Sequence, residues 1–472
     1  MSDTTGKAAG AAATDPYALT PEGIKDPPVG WRASVRYLGP GLIMSASIVG
    51  SGELIATTAL GAQAGFVLLW LVVFSTLVKV AVQVELARWT IATGEPALSG
   101  YDKVPPRIGR VGWVNLLWIV LALSKLLQVG GIIGGTAAAF SILLPLGGDP
   151  LGFPSLPIWT VVLAVGSIAM LYSNRYSLIE RGAATLVVIF TAITVLIALG
   201  LPLTPFSYGV GDVASGLTFL IPAGAVGAAV AMFGITGVGA DEITFYTYWC
   251  LEKGYARWTG PNDGSEAWAR RANGWIRVMY KDAFVSWVIY TFGTLAFYLM
   301  GAAVLHPQGL VPSGNGMITT LSRIYTDTLG AWASVLFLIG AIAVLGSTMW
   351  AAIPSWSRMY TNLLATLGVL DWKDPAARLR WIRIFTVALP ILWAVCFLAI
   401  QSPVIMVQIG GVATGIFLVA AVVAVWYLRR TETDPRLHGG RGFSVALIVS
   451  SVAIALLGVY TLLSVLGLEI GG

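Results

Sequence analysis

Of the charged residues that stand in apolar stretches of this chain, five could together bind and move an ion. Lys125 is the lone charge of the run 113–144. A lysine at the centre of a lipid-spanning helix is costly, so it faces a cavity on a transport path or pairs with a buried acid. It lies 12 residues beyond Trp113, too deep for easy snorkelling to the headgroups. Glu53 follows Gly50-Ser51-Gly52, and Asp241 and Glu242 follow Gly239-Ala240. Buried carboxylates can hold a proton, Na⁺ or a hard divalent ion, and backbone amides opened by glycine can hold an anion. Glycine also lets helices pack closely. Glycine followed by an intramembrane acid at matching places in both halves favours a site. Lys79 is the fifth charge, and nothing in the sequence identifies its partner.

The elements that must position these groups are membrane helices. Apolar residues make up 57% of the 472 residues and charged residues 11%, against about 25% charged in a soluble domain. The net charge of +5 is spread over short loops, which argues against nucleic acid as a partner. Cys250 and Cys396 are too few for a disulfide framework. His306 and His438 fall in loops, and no nucleophile–base pair or metal-ligand cluster is visible, so neither an enzyme nor a resident metal or cofactor is expected. Apolar stretches long enough to cross a bilayer fall near 39–65, 68–93, 111–144, 157–173, 183–202, 217–250, 283–304, 331–355, 381–401, 404–428 and 443–466. With the N-terminus inside, the inner segments hold 24 of the 28 Lys and Arg residues, and only Arg323 falls in an outer loop. That asymmetry is the positive-inside pattern. It predicts a multi-pass protein of the cell membrane, N-terminus cytoplasmic and C-terminus outside. Residues 1–34 read as a disordered cytoplasmic tail.

Glycine interrupts the first and sixth spans, which lie five helices apart. That is the spacing of a five-plus-five inverted repeat, whose paired broken helices mark the transport site. The expected organisation is residues 35–202 (spans one to five), 203–428 (spans six to ten) and 429–472 (an eleventh helix and the C-terminus).

Gly39-Pro40-Gly41 followed by Gly61-Ala62-Gln63-Ala64-Gly65-Phe66, and Arg88 followed by Ile91-Ala92-Thr93-Gly94, resemble the first two helices of the Nramp family of divalent metal transporters. The resemblance runs over roughly 35–430 in helix order and is most specific at those two helices. It implies an all-α integral membrane protein of the LeuT type, a five-plus-five inverted repeat with broken helices one and six plus an eleventh helix. The chemistry departs from the family. Gly50 to Glu53 stand where the family carries its Asp-Pro-Gly-Asn metal motif. Gly239-Ala240-Asp241 stand where it carries Met-Pro-His, whose thioether favours transition metals over hard cations. Lys125 and Gln128 align with two acids that the family associates with proton movement.

These departures predict that Mn²⁺ neither binds tightly nor is carried well. The first expectation is a secondary transporter for a small oxygen anion, bicarbonate or a short carboxylate. Gly50, Ser51, Gly52, Thr236, Gly237, Gly239, Lys125 and Gln408 would form its site, and Glu53, Asp241 and Glu242 would hold a coupling H⁺ or Na⁺. The alternative is a proton- or cation-linked divalent metal transporter for Mg²⁺ or Mn²⁺. A receptor-like or structural membrane protein is the third class. For Gln408, a ligand role and a helix–helix hydrogen bond stand as equals. Ser347, Thr348, Trp350 and Ser355 read as a packing stripe, and Glu85 with Arg88 as an ordinary i,i+3 ion pair. The chain is taken as a monomer in the lipid bilayer.

Overall fold

Apolar runs in hydrocarbon must satisfy their backbone groups internally, so they form helices. The computed structural model describes residues 15–172 and 176–466. Among these, the bundle consists of α1 (Pro40–Ala64), α2 (Leu69–Thr93), α3 (Trp113–Leu143), α4 (Ser155–Tyr172), α5 (Tyr176–Gly200), α6a (Val226–Ile235) and α6b (Ala240–Lys253), α7 (Glu266–Met300), α8 (Ala333–Thr366), α9 (Pro375–Ile400), α10 (Pro403–Thr431) and α11 (Arg441–Val465). Each expected span has its helix. α7 starts at Glu266, well before the apolar stretch that revealed it, because its polar first half is also helical. A small antiparallel ribbon, Arg107–Ile108 with Val111–Gly112, joins α2 to α3.

α1 and α6 occupy the middle of the bundle, with 82% and 78% of their apolar windows buried. α9 and α11 lie at the edge, with only 28% buried. Their outward Ile391, Val395, Val452 and Leu456 are exposed, as lipid-facing side chains should be. α3 packs on α8, α9 and α10, while α7 and α8 flank α1.

The two interrupted helices depart from regular geometry in different ways. α6 is broken: α6a ends at Ile235, Thr236 is extended, Gly237 has φ +66° and α6b begins at Ala240. The positive φ is why glycine stands at 237. α1 was expected to unwind near 50–52 and instead stays helical, widened to a π-helix over Val49–Thr57. The Thr348 hydroxyl of α8 donates to the Ala46 and Ser47 carbonyls at 3.1 Å each, taking up acceptors just before the widened turn.

The N-terminal segment also differs from expectation. From Asp15 onward it packs against α6b and α9. Asp15 pairs with Arg378 of α9 at 2.5 Å. The Tyr17 hydroxyl donates to Glu252 at 2.8 Å, and Glu252, at the end of α6b, is also held by Arg358 of α8. A chain rich in small and polar residues looks disordered until its few anchors find partners. Residues 1–14 lie outside the described residues. These contacts clamp the C-terminal end of α6b, and buried Cys250 reports on the clamp. Glu252→Ala is expected to raise the maleimide labelling rate of Cys250 several-fold with Cys396 as internal reference. An unchanged rate would show that the clamp does not restrain α6b.

Candidate functional site

The site forms where the widened turn of α1 meets the break in α6. Glu53 is fully buried. Its Oε2 accepts from the Thr57 hydroxyl at 2.9 Å, and its Oε1 lies 3.4 Å from the Gly237 amide. The Thr57 and Thr236 hydroxyls meet at 3.0 Å. Glu53 therefore links the first half of the fold to the second, with Thr236 and Gly237 beside it.

Asp241 and Glu242 open α6b, both buried. A Cβ on Gly239 would overlap Glu242 Oε2 and come within 3.1 Å of Asp241 Oδ1. Both carboxylates fold back over Gly239, and a side chain there would push the Glu242 carboxylate aside. Negative charge suits a helix N-terminus, and this one is filled by the chain's own acids.

Lys125 reaches Asp241 Oδ1 from α3 at 2.8 Å, with the two side chains 2% and 5% exposed. Of its two readings, the structure shows the buried ion pair. Lys79 also finds its partners. Its Nζ donates to the carbonyls of Phe233 and Thr236, at 2.7 and 2.5 Å. Ser75 donates to the same two oxygens at 3.2 and 3.1 Å. These are carbonyls at the end of α6a, where helical acceptors run out of intrahelical donors. A buried lysine signals in sequence that some partner exists, but backbone carbonyls more than 150 residues away leave no trace there.

The glycine triplet does not form an open cradle. A Cβ on Gly50 would overlap the Thr348 hydroxyl, and one on Gly52 would come within 2.9 Å of Ile235. Both glycines serve close packing, against α8 and α6a. Their amides belong to a continuous helix, and the side chain of Ser51 lies outside what is described. Gln128 is buried on α3 with its Oε1 lacking a hydrogen-bond partner, aimed at Gly410 of α10. Gln408 is half-buried on α10 and bonds to none of these groups. The stripe on α8 is packing in kind: Ser355 accepts from Trp249, and Trp350 donates to Ser167.

Two further buried carboxylates are structural. Asp282 of α7 accepts from the amides of Gly39 and Gly41, at 2.8 and 2.6 Å, and so caps α1. Glu85 pairs with Arg88 at 3.0 Å and with Arg429 of α10 at 2.7 Å. What reads as a simple i,i+3 pair is a buried three-residue network across two helices. Among the described residues, no three His, Cys, Asp or Glu side chains converge as a ready metal cage. The arrangement therefore offers three acids, two ammonium groups and two hydroxyls closed off from solvent, with a formal surplus of one negative charge.

Comparison with known proteins adds three findings. A family model, natural resistance-associated macrophage protein-like, matches residues 41–464. The chain is 25% identical over 358 residues to the divalent metal cation transporter MntH of Mycobacterium tuberculosis, covering 73% of each chain. By structure, a manganese transporter of Eremococcus coleocola superposes with TM-score 0.63 over 93% of this chain and 89% of that one, at 14% identity. Mhp1, a nucleobase-cation-symport-1 family transporter, gives 0.53 over 90% of each at 15% identity. The structural likenesses concern the fold alone, which is of the LeuT type.

Proposed function

The chain belongs to the Nramp family, a family of transporters and not enzymes, and on that premise we propose that it carries a hard divalent cation, Mg²⁺ ahead of Mn²⁺, linked to protons. The observation that carries this reading is the excess of acid around the α6 break: Glu53 reaches the Gly237 amide, and Asp241 and Glu242 open α6b, three buried acids against two ammonium groups. Mg²⁺ keeps several waters and needs only one or two protein carboxylates, so the absence of a three-ligand cage among the described residues does not count against it. Glu53 and Glu242, with the Thr57 and Thr236 hydroxyls, are the proposed ion partners, and Glu53 carries the proton link between the two halves. The manganese preference of relatives is not carried over, because no thioether stands at Gly239-Ala240-Asp241 to favour a softer ion. We place the protein in the cell membrane with its N-terminus inside.

A small oxygen anion is the second reading, favoured by the two buried lysines. Its other supports have gone. The amides of Gly50 to Gly52 are inside a helix, the N-terminus of α6b is filled by acids, and both lysines are already engaged.

Uptake into proteoliposomes under an inward proton gradient tests both. Mg²⁺ should accumulate, with Mn²⁺ carried about tenfold less efficiently, and a protonophore should abolish the difference made by the gradient. Glu53→Gln should weaken Mg²⁺ binding and flatten the pH dependence of uptake, since it removes one of two carboxylate ion partners and one titrating group on the proton path. Bicarbonate uptake without any divalent flux would replace this reading with the second. A pH profile of Glu53→Gln identical to wild type would remove Glu53 from the coupling role.

A further inference from the structure

We infer that the Lys79 ammonium is a built-in cation for the α6 break, occupying the carbonyl site that a mobile ion such as Na⁺ would otherwise fill. The end of α6a is the negative end of a half-helix, where carbonyls lack intrahelical donors. In transporters with broken helices, such carbonyls coordinate mobile cations. Here Nζ lies 2.7 Å from the Phe233 oxygen and 2.5 Å from the Thr236 oxygen, and Ser75 supplies a hydroxyl to each. The lysine is fully buried, and its Nζ sits 5.1 Å from the centre of the Phe233 ring. Lys79 lies in the middle of α2 with right-handed helical backbone angles, and its carbonyl accepts from the Gln83 amide at 3.1 Å, so the side chain reaches α6a from a continuous helix.

Two consequences follow. The broken form of α6 needs no Na⁺, because its cation is covalently attached. The Phe233 and Thr236 oxygens are also taken, so any transported ion must use side chains at the site rather than these carbonyls. Neither consequence depends on which ion is carried.

Thermal unfolding of the purified full-length protein tests the inference, in NaCl against N-methylglucamine chloride of equal ionic strength. Wild type should melt at the same temperature in both. Lys79→Ala should melt lower in N-methylglucamine, and Na⁺ or Li⁺ should raise its Tm by about 3 °C or more, as a ligand bound only to the folded state does. Lys79→Gln, which keeps an N–H donor group without the charge, is the milder variant and should show the same cation response. A saturable Na⁺ stabilisation of wild type would overturn the inference. So would Lys79 variants whose Tm is indifferent to Na⁺, Li⁺ and K⁺. The wild-type titration decides by itself where the variants fail to fold. No substrate enters any arm, so failure of Mg²⁺ uptake and failure of this result remain distinguishable.

Discussion

Lys125→Met should destabilise the protein by on the order of 3–5 kcal/mol, because it strands the Asp241 carboxylate in a buried setting. The pair spans 2.8 Å between α3 and α6b, with both side chains almost fully enclosed. Asp241→Leu alone should cost a similar amount by stranding the ammonium. The double variant Lys125→Met with Asp241→Leu should recover most of the loss, since replacing a whole buried pair by apolar groups is often neutral. Melting temperatures of the four proteins form a cycle that isolates the pair. Additive losses would show that the two groups do not depend on each other.

The same position separates the two substrate readings. Unit charges about 8 Å apart interact by roughly 2 kcal/mol at an effective dielectric of about 20, more than tenfold in affinity. Lys125→Gln should therefore leave divalent flux per folded protein unchanged or raised. An anion pathway would instead lose uptake with Lys125→Gln and keep part of it with Lys125→Arg. Flux measured against the amount of folded protein in the membrane keeps transport and folding apart.

Gly234→Ala should be the most damaging single methyl addition in α6a. A Cβ there would overlap the carbonyl oxygen of Gly411 and come within 2.9 Å of the Gly415 amide nitrogen. Both are backbone atoms of α10, so no side-chain rotation relieves the clash and the two helices must separate. Overpacking typically costs 1–3 kcal/mol where side chains can adjust. About 3 kcal/mol or more is expected here, with transport lost because α6a and α10 meet beside the site. Gly227→Ala, in the same half-helix, is the control. Nothing lies within 4 Å of its Cβ, and alanine should be neutral or stabilising by up to about 1 kcal/mol. Equal melting temperatures for the two variants would show that the close approach at Gly234 does not constrain the helices.

The number of spans could be read from the chain because hydrocarbon imposes a minimum length of apolar helix, and each helix writes that length into its own residues. The break in α6 was legible for a similar local reason: glycines at 237 and 239, followed by two acids, mark a turn that favours glycine at 237 and a helix start that favours negative charge. Partners were not legible. Lys125 announced a need for neutralisation, but whether a cavity, a headgroup or Asp241 met it depends on how α3 lies against α6b. Lys79 likewise required acceptors, and only the packing of α2 beside α6a supplied the Phe233 and Thr236 carbonyls. The triplet at 50–52 shows the ambiguity most clearly. Missing side chains permit either an open backbone or a close neighbour, and local sequence cannot tell them apart. Thr348 and Ile235, brought in by α8 and α6a, decided for the neighbour, and with that the amides expected to cradle an anion became part of a continuous helix.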